Sequence, residues 1–381
     1  MRKLPTGISE FTELRRENCL YIDKTKHIYA LLTNDRRTFL ARPRRFGKSL
    51  LVSTLTAALQ GEKKLFEGLW IFQSDYHWKS YGVIRLDFSA LDSKTPEIFE
   101  QSLMSVCIDI AQQHGYAIGP HFTGIKEALK LLTNLLHKQF GRVALLIDEY
   151  DYPILQNLPS PEQAIAIRSI MKDFSTSIKA LQLQIEFVFI TSVSAFSKSD
   201  LSSGLNNLTN LTMMDKFATI CGYTDEEIDF YFTEHISRWK GHKHISIAQI
   251  RDTLRTWYNG YHFTKTSDSV YSPFSVISAL DREEIASFWF ESATPQFLLH
   301  EIERLERKEE CSLLFQEGFI GSMETLQTFE IESIPLMALL FQTGYLTIDR
   351  YDAHTDMYTL TYPNFEVKKA LHQHLMIART K

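Results

Sequence analysis

Cysteine is scarce in this chain: four in 381 residues (Cys19, Cys107, Cys221 and Cys311), far apart and with no C-x-x-C pair. That spacing excludes a zinc ribbon or a disulfide-stapled scaffold and fits a reducing cytoplasm. Apolar runs of the ~18 residues that a membrane helix needs are missing, and the N-terminal MRKLPTGISEF lacks the apolar core of a secretory signal. A soluble, cytoplasmic protein without membrane association is expected. Charge of one sign is not in excess either. Lys plus Arg is 41 and Asp plus Glu 46, a net charge of -5, which excludes a uniformly basic nucleic-acid coat but leaves room for a local basic patch. There is no internal repeat and no low-complexity segment.

What is present is an ordinary globular composition, 44% hydrophobic and 23% charged, over a length that predicts two or three domains. Up to about residue 220, short β-rich runs alternate with helical patterns. Arg37–Ala41 reads as a strand and Lys48–Gln60 as a helix. Val83–Phe88 is the next strand, and Thr95-Pro96 is the N-cap and first turn of a helix to about Gln113. Ile125–Lys138 predicts another helix. Val143–Ile147 (VALLI) predicts a strand buried on both faces. Ser160-Pro161-Glu162-Gln163 reads as a capping box, and Glu186–Thr191 (EFVFIT) as a further buried strand. Strands separated by helices imply a parallel sheet with ligands beyond its C-terminal edge. Beyond residue 220 the pattern turns helical. Thr224 to Glu227 reads as a second capping box, with Ile228, Tyr231, Phe232 and His235 at helical spacing, and helical patterns continue to about Phe315. The last third reads as a helix, two β-like runs and a closing helix, the pattern of a small winged-helix-like domain.

The sharpest feature is RPRRFGKSL, Arg42 to Leu50. Gly47, Lys48 and Ser49 match the end of the P-loop pattern G-x-x-x-x-G-K-[ST] after a strand and at a helix start, with Arg42 where the first Gly would stand. Backbone N–H groups from Arg44 through Arg45, Phe46, Gly47 and Lys48 to Ser49, with Leu50 next, can cradle phosphates at the helix N-terminus. The Lys48 ammonium would bridge phosphate oxygens, the Ser49 hydroxyl would bind Mg²⁺, and three loop arginines would add positive potential. A G-K-S tripeptide alone arises by chance, so a second motif matters. Ala144 to Glu149 is an apolar strand ending in two carboxylates. Asp148 at its tip can hold Mg²⁺ through water, and Glu149 can polarise an attacking water as general base. An isolated Asp-Glu pair more often begins a solvated loop; the upstream loop and the implied sheet favour the site. Thr191 and Ser192 end the strand EFVFIT, where a polar residue can sense a γ-phosphate.

Several strings together resemble the AAA-ATPase-like family of bacterial P-loop proteins: ISEFTELRRENCLYIDKTKHI, RPRRFGKSLL, LLIDEYD, FSKSDLSSGLNNLTNLTM, CGYTDEEIDFYF and the WYNGYHF…VYSPFSV pair. The resemblance runs from about residue 4 to about 370. It is similar to the archaeal-type STAND ATPases and implies ATP and Mg²⁺ as ligands. It makes Lys48 and Ser49 the Walker A pair and Asp148 and Glu149 the Walker B pair. Arg42 in place of Gly is the family's own habit. The resemblance also places Asp23 and Lys24 in an N-terminal DKT motif near the nucleotide base. Thr191-Ser192 and Ser272-Pro273 depart from the family's usual Thr-Gly and Asn-Pro. Relatives often carry a C-terminal PD-(D/E)XK nuclease-like domain, and this chain stops about where one would start.

Other constellations have simpler readings. The thirteen histidines include no H-E-x-x-H frame, and surface positions explain His242, His244, His372 and His374. Glu366-Val367-Lys368 has a nuclease-like E-x-K spacing without the rest of such a centre, so a solvated helix start is expected. The basic run from Arg36 to Lys48 could bind nucleic-acid phosphates. Trp239, Trp257, Tyr258, Tyr261 and Phe263 could stack bases, although core positions are the simpler reading. Ser237–His244 (SRWKGHKH) reads as a basic surface loop.

The resulting expectation is an α/β protein: a P-loop NTPase parallel sheet over residues 1–220, a helical lid over 221–315 and a small winged-helix-like C-terminal domain over 316–381. The expected function is Mg²⁺-dependent ATP binding and hydrolysis driving a conformational switch, with a protein effector or nucleic acid as partner and a homo-oligomer as a compatible assembly. The alternative is a non-hydrolysing nucleotide- or nucleic-acid-binding scaffold.

Overall fold

A computed structural model describes residues 1–119, 122–194, 207–243, 245–289, 318–327 and 335–379. Five parallel strands form the main sheet: β1 (Arg37–Ala41), β2 (Gly82–Asp87), β3 (Val143–Asp148), β4 (Ile185–Ser192) and the two-residue β5 (Thr209–Asn210). Their spatial order is β2-β3-β4-β1-β5. β4 therefore lies between the strand that feeds the basic loop and the strand that ends in the acidic pair. β3 is buried at every position, which is why VALLI is apolar without alternation. The pairings Leu40 with Thr191 and Ile147 with Ile190 bring the ends of β1, β4 and β3 to one edge.

The helices of this part are α1 (Phe11–Arg16), α2 (Thr25–Asn34), α3 (Lys48–Leu59), α4 (Pro96–Gln113), α5 (Ile125–Phe140), α6 (Tyr152–Asn157) and α7 (Pro161–Ala180). Thr95 caps α4 as expected, accepting the Ile98 N–H at 3.3 Å. The capping box read at Ser160 does not form. Its ψ is 83°, against 168° at Thr224, where the box with Glu227 is complete, and so the Ser160 hydroxyl makes no cap bond.

The next helices are α8 (Asp225–Tyr231), α9 (Thr233–Lys243), α10 (Ile247–Tyr258) and α11 (Pro273–Arg282). The pattern expected as one helix through His235 is two, parted at the fully buried Phe232. The segment from Ser237, expected as a basic loop, instead continues α9 to Lys243. Ile236 and Trp239 at helical spacing are both buried, while Arg238 and His242 each reach Glu283 at 2.7 Å. These helices share a core with Leu4, Leu20 and Ile22 from the N-terminal segment.

The C-terminal elements are β6 (Phe319–Ser322), α12 (Met323–Gln327), α13 (Leu336–Thr343), β7 (Thr347–Asp352), β8 (Met357–Thr361) and α14 (Phe365–Arg379). The antiparallel sheet runs β6-β8-β7, a strand, two helices and a returning hairpin as in a winged helix. β6, like the two-residue β5 of the main sheet, is a strand that the sequence pattern did not announce. No described helix is long and apolar enough to cross a membrane. The string from Phe196 to Asn206, the helical patterns over 290–315 and Cys311 lie outside the described residues.

Candidate nucleotide site

After β1 the chain turns through Pro43, Arg44, Arg45 and Phe46 into α3. Gly47 caps the helix at φ +87°, a left-handed conformation that costs glycine little and a side chain much. The first N–H groups of α3, at Lys48, Ser49 and Leu50, lack helical acceptors by geometry and carry the positive end of the helix dipole. The Lys48 ammonium is buried and donates to the carbonyls of Arg42 (3.0 Å) and Pro43 (3.1 Å), so it lies folded over the loop that it closes.

Across the edge, the Thr191 hydroxyl donates to Asp148 Oδ1 and accepts the Glu149 N–H at 3.1 Å. Its one proton is thereby engaged. Thr191 orients the carboxylate instead of standing free as a sensor. Glu149 has φ +51°, a conformation that costs a non-glycine residue of order 1 kcal/mol and turns its side chain away from the strand line. Burial raises the Glu149 carboxyl above its ordinary value, opposed by the charges of Lys48 and Arg44 and assisted by those of Asp148 and Asp151. The loop cations and the acidic tip therefore share one electrostatic environment.

The three loop arginines diverge. Arg42 does not add potential for phosphates, as the sequence had suggested, because it is turned into the protein and 1% exposed. Its guanidinium donates to Ala41 O (2.8 Å), Thr212 O (2.9 Å) and Phe217 O (3.0 Å) and stacks 4.1 Å over Phe263. Burial lowers its pKa to about 10. Arg45 is exposed and lies 5.0 Å over Phe274 of α11. Arg44 lies 5.7 Å over Tyr152, with Nε and Nη2 buried and without a partner.

Asp23 and Lys24 hold the N-terminal segment in place. Asp23 accepts the Thr25 N–H and hydroxyl (2.9 and 2.6 Å) and the Trp70 N–H (2.7 Å), starting α2 and pinning the 70–73 turn. Lys24 contacts both Glu227 oxygens at 2.6 Å, tying the segment to the capping box of α8. Lys24 also lines an apolar cavity beside Gly47 and Leu50, with Tyr21, Ile22, Tyr223 and Pro273 around it. Nearby, burial and then the Lys24 charge push His27 down to about 4. The unfolded chain therefore protonates first on acidification. Stability is unaffected above the unfolded value near 6.5 and declines between about 6.5 and 4, by roughly 2–3 kcal/mol. His27→Gln should flatten that decline, read as urea midpoints at pH 7 and pH 4.5.

Several residues at the site gave no local signal. Both carboxylate oxygens of buried Asp151 bind the bend that follows β4, through Val193 N–H (3.1 Å) and Ser194 N–H (2.7 Å). The Trp289 indole donates to Arg44 O at 3.0 Å. Trp289 N–H and the Ser275 hydroxyl both donate to Glu366, at 2.7 and 2.8 Å. Glu366 is fully buried, not a solvated helix start, and joins α11 and α14 to the residue that grips the loop. Tyr258, Tyr261 and Trp239 are core residues, and Tyr261 and Phe263 pack on Phe46 with ring centroids 4.7 and 5.5 Å away. Cys19, Cys107 and Cys221 are buried and reduced.

A parallel sheet with one strand inserted between the loop strand and the acidic strand, a Lys-Ser helix start and an Asp-Glu strand tip define a P-loop ATPase architecture. The family model described as "Predicted AAA-ATPase" matches residues 5–202. An uncharacterised protein from the vnfD 5′ region of Azotobacter chroococcum is 34% identical over 383 residues, covering 99% of this chain and 70% of that protein. The chain belongs to the predicted AAA-ATPase family. Among solved structures, a Walker-type ATPase of Pyrococcus abyssi aligns over 98% of this chain and 99% of its own, at 12% identity and a TM-score of 0.44. The ORC2 protein of Aeropyrum pernix, solved with ADPNP and ADP, aligns over 94% and 93%, at 13% identity and a TM-score of 0.36. Both likenesses are distant.

Proposed function

We propose that the protein is a Mg²⁺-dependent ATPase working as a conformational switch, with phosphate chemistry at the C-terminal edge of β1, β4 and β3. The observation that carries this reading is the strand order, which sets the Lys48 helix start after β1 and the Asp148-Glu149 tip of β3 at one sheet edge on either side of β4. The loop N–H groups and Lys48 would hold the phosphates. Asp148 is 1% exposed, and among the described residues it has no cationic side-chain partner. Such a buried carboxylate, with the Ser49 hydroxyl, fits Mg²⁺, which takes few protein ligands and keeps water and phosphate oxygens. Bound there, the ion would offset phosphate charge. Glu149, its proton affinity raised by burial, would take the proton of the attacking water, while Thr191 keeps Asp148 oriented. The apolar cavity bounded by Tyr21, Ile22, Leu50 and Pro273 would receive the base. Asp23 and Lys24 would shape that cavity through their bonds to Trp70 and Glu227.

The output would reach a protein effector through α11, α13 and α14. A scaffold that reads nucleic acid through the C-terminal part is less well supported. The helix before the hairpin, α13, is LMALLFQT, without a basic residue and largely buried. The hairpin exposes Asp349, Asp352 and Asp356 against the single exposed cation Arg350. Phosphates would meet carboxylates there.

Calorimetry with Mg²⁺-ATP and phosphate-release assays test the reading. Wild-type protein should bind ATP and release free phosphate, and Lys48→Ala should lose at least tenfold in affinity along with turnover. If wild type neither binds nor hydrolyses ATP, the reading fails.

A further inference from the structure

Each arginine of the phosphate loop meets a different environment, and Arg44 keeps more buried hydrogen-bonding capacity in hand than Arg42, two guanidinium nitrogens against the Nε alone. Arg42 gives its two terminal nitrogens to three carbonyls, and Arg45 is exposed against the Phe274 ring. Arg44 is anchored from both sides: its carbonyl accepts the Trp289 indole N–H at 3.0 Å, and its guanidinium lies over Tyr152, three residues beyond Glu149. Its Nε and Nη2 are nevertheless buried and unpartnered. A guanidinium kept so costs a few kcal/mol unless an anionic oxygen comes to it.

We propose that Arg44 is an arginine finger supplied in cis by the phosphate loop, its N–H groups meeting the γ-phosphoryl oxygens as negative charge shifts during transfer to water. This rests on the ATPase reading and adds a residue to it. In that step the water oxygen bonds to the γ-phosphorus while the bridging P–O bond breaks with its electron pair going to ADP. The water proton passes to the Glu149 carboxylate. An arginine so placed contributes about 10³–10⁵ to the rate. Other described arginines near the lid are engaged elsewhere: Arg238 with Glu283, Arg255 with Asp225 and Arg251 with Asp229. The start of α11 brings Pro273 and Phe274 to the loop, and its one arginine, Arg282, stacks at the far end on Phe288.

The test compares ADP with ADP plus aluminium fluoride, a mimic of the transferring phosphoryl group, by calorimetry in the full-length chain. Wild type should bind the aluminium fluoride complex at least tenfold more tightly than ADP. Arg44→Ala and Arg44→Gln, the second keeping bulk over Tyr152, should erase that difference with ADP affinity within threefold of wild type. Turnover should fall about 10³-fold. Preference for the fluoride complex persisting in both variants overturns the proposal, as does an equal loss for both ligands. A wild type that binds ADP without preferring the fluoride complex overturns it while sparing the ATPase reading; no nucleotide binding by wild type overturns both.

Discussion

Glu149→Gln should stop ATP turnover while leaving ATP bound, with phosphate release falling about 10²–10⁴-fold, the usual worth of a positioned general base. The amide has nearly the shape of the carboxylate and cannot take a proton. The backbone N–H of residue 149 keeps its bond to Thr191, so the unusual φ at the strand tip persists. Burial already disfavours the charge of Glu149, so neutralising it should not destabilise the fold. Calorimetry should give an ATP affinity within a few-fold of wild type, and the bound complex should accumulate. Loss of binding together with turnover would show Glu149 holding the substrate site together and remove it as the base.

The second large effect is expected at Arg42. Arg42→Gly restores the glycine that the general P-loop pattern asks for, and it should nonetheless destabilise this protein by about 3–5 kcal/mol. The guanidinium satisfies the carbonyls of Ala41, Thr212 and Phe217 in the interior, where an abandoned acceptor costs of order 1–3 kcal/mol. The Phe263 ring also loses the group stacked on it. The readout is a lower urea midpoint at unchanged slope. Arg42→Lys should recover only part, since one ammonium cannot span three carbonyls with a planar fork. A shift below about 1 kcal/mol for the glycine variant would mean that water replaces the side chain without loss.

Arg42 also marks the limit of what could be read from the chain alone. The strands β3 and β4 were legible because a strand buried on both faces is continuously apolar, as VALLI and the FVFI within EFVFIT are. The Lys48-Ser49 helix start and the Asp148-Glu149 tip were legible because phosphate and metal chemistry demands those groups beside each other in sequence. Arg42 was not, because three arginines within one four-residue string look alike until the fold assigns each a neighbour. Asp151 and Glu366 act on partners distant in the chain, as does Glu227 in its contact with Lys24 beyond its local capping box, so local spacing is silent about those contacts. Glu366 sits in a charged string that reads as solvent-exposed, yet the fold buries it under Trp289. The two-residue β5 is too short to leave a periodic trace.

The strand order carries a consequence for how the chain is made. β1 pairs with β4 on one side and β5 on the other, and both lie far downstream, at Ile185–Ser192 and Thr209–Asn210. At ~5–20 residues per second, the strand that launches the phosphate loop waits roughly 8 to 30 s on the ribosome before either neighbour exists. During that interval the Thr38–Ala41 stretch and α3 are exposed apolar segments without a partner sheet, the condition under which nascent chains aggregate or recruit chaperones. The insertion of β4 that brings the basic loop and the acidic tip to one edge thus also makes this half of the molecule late to fold.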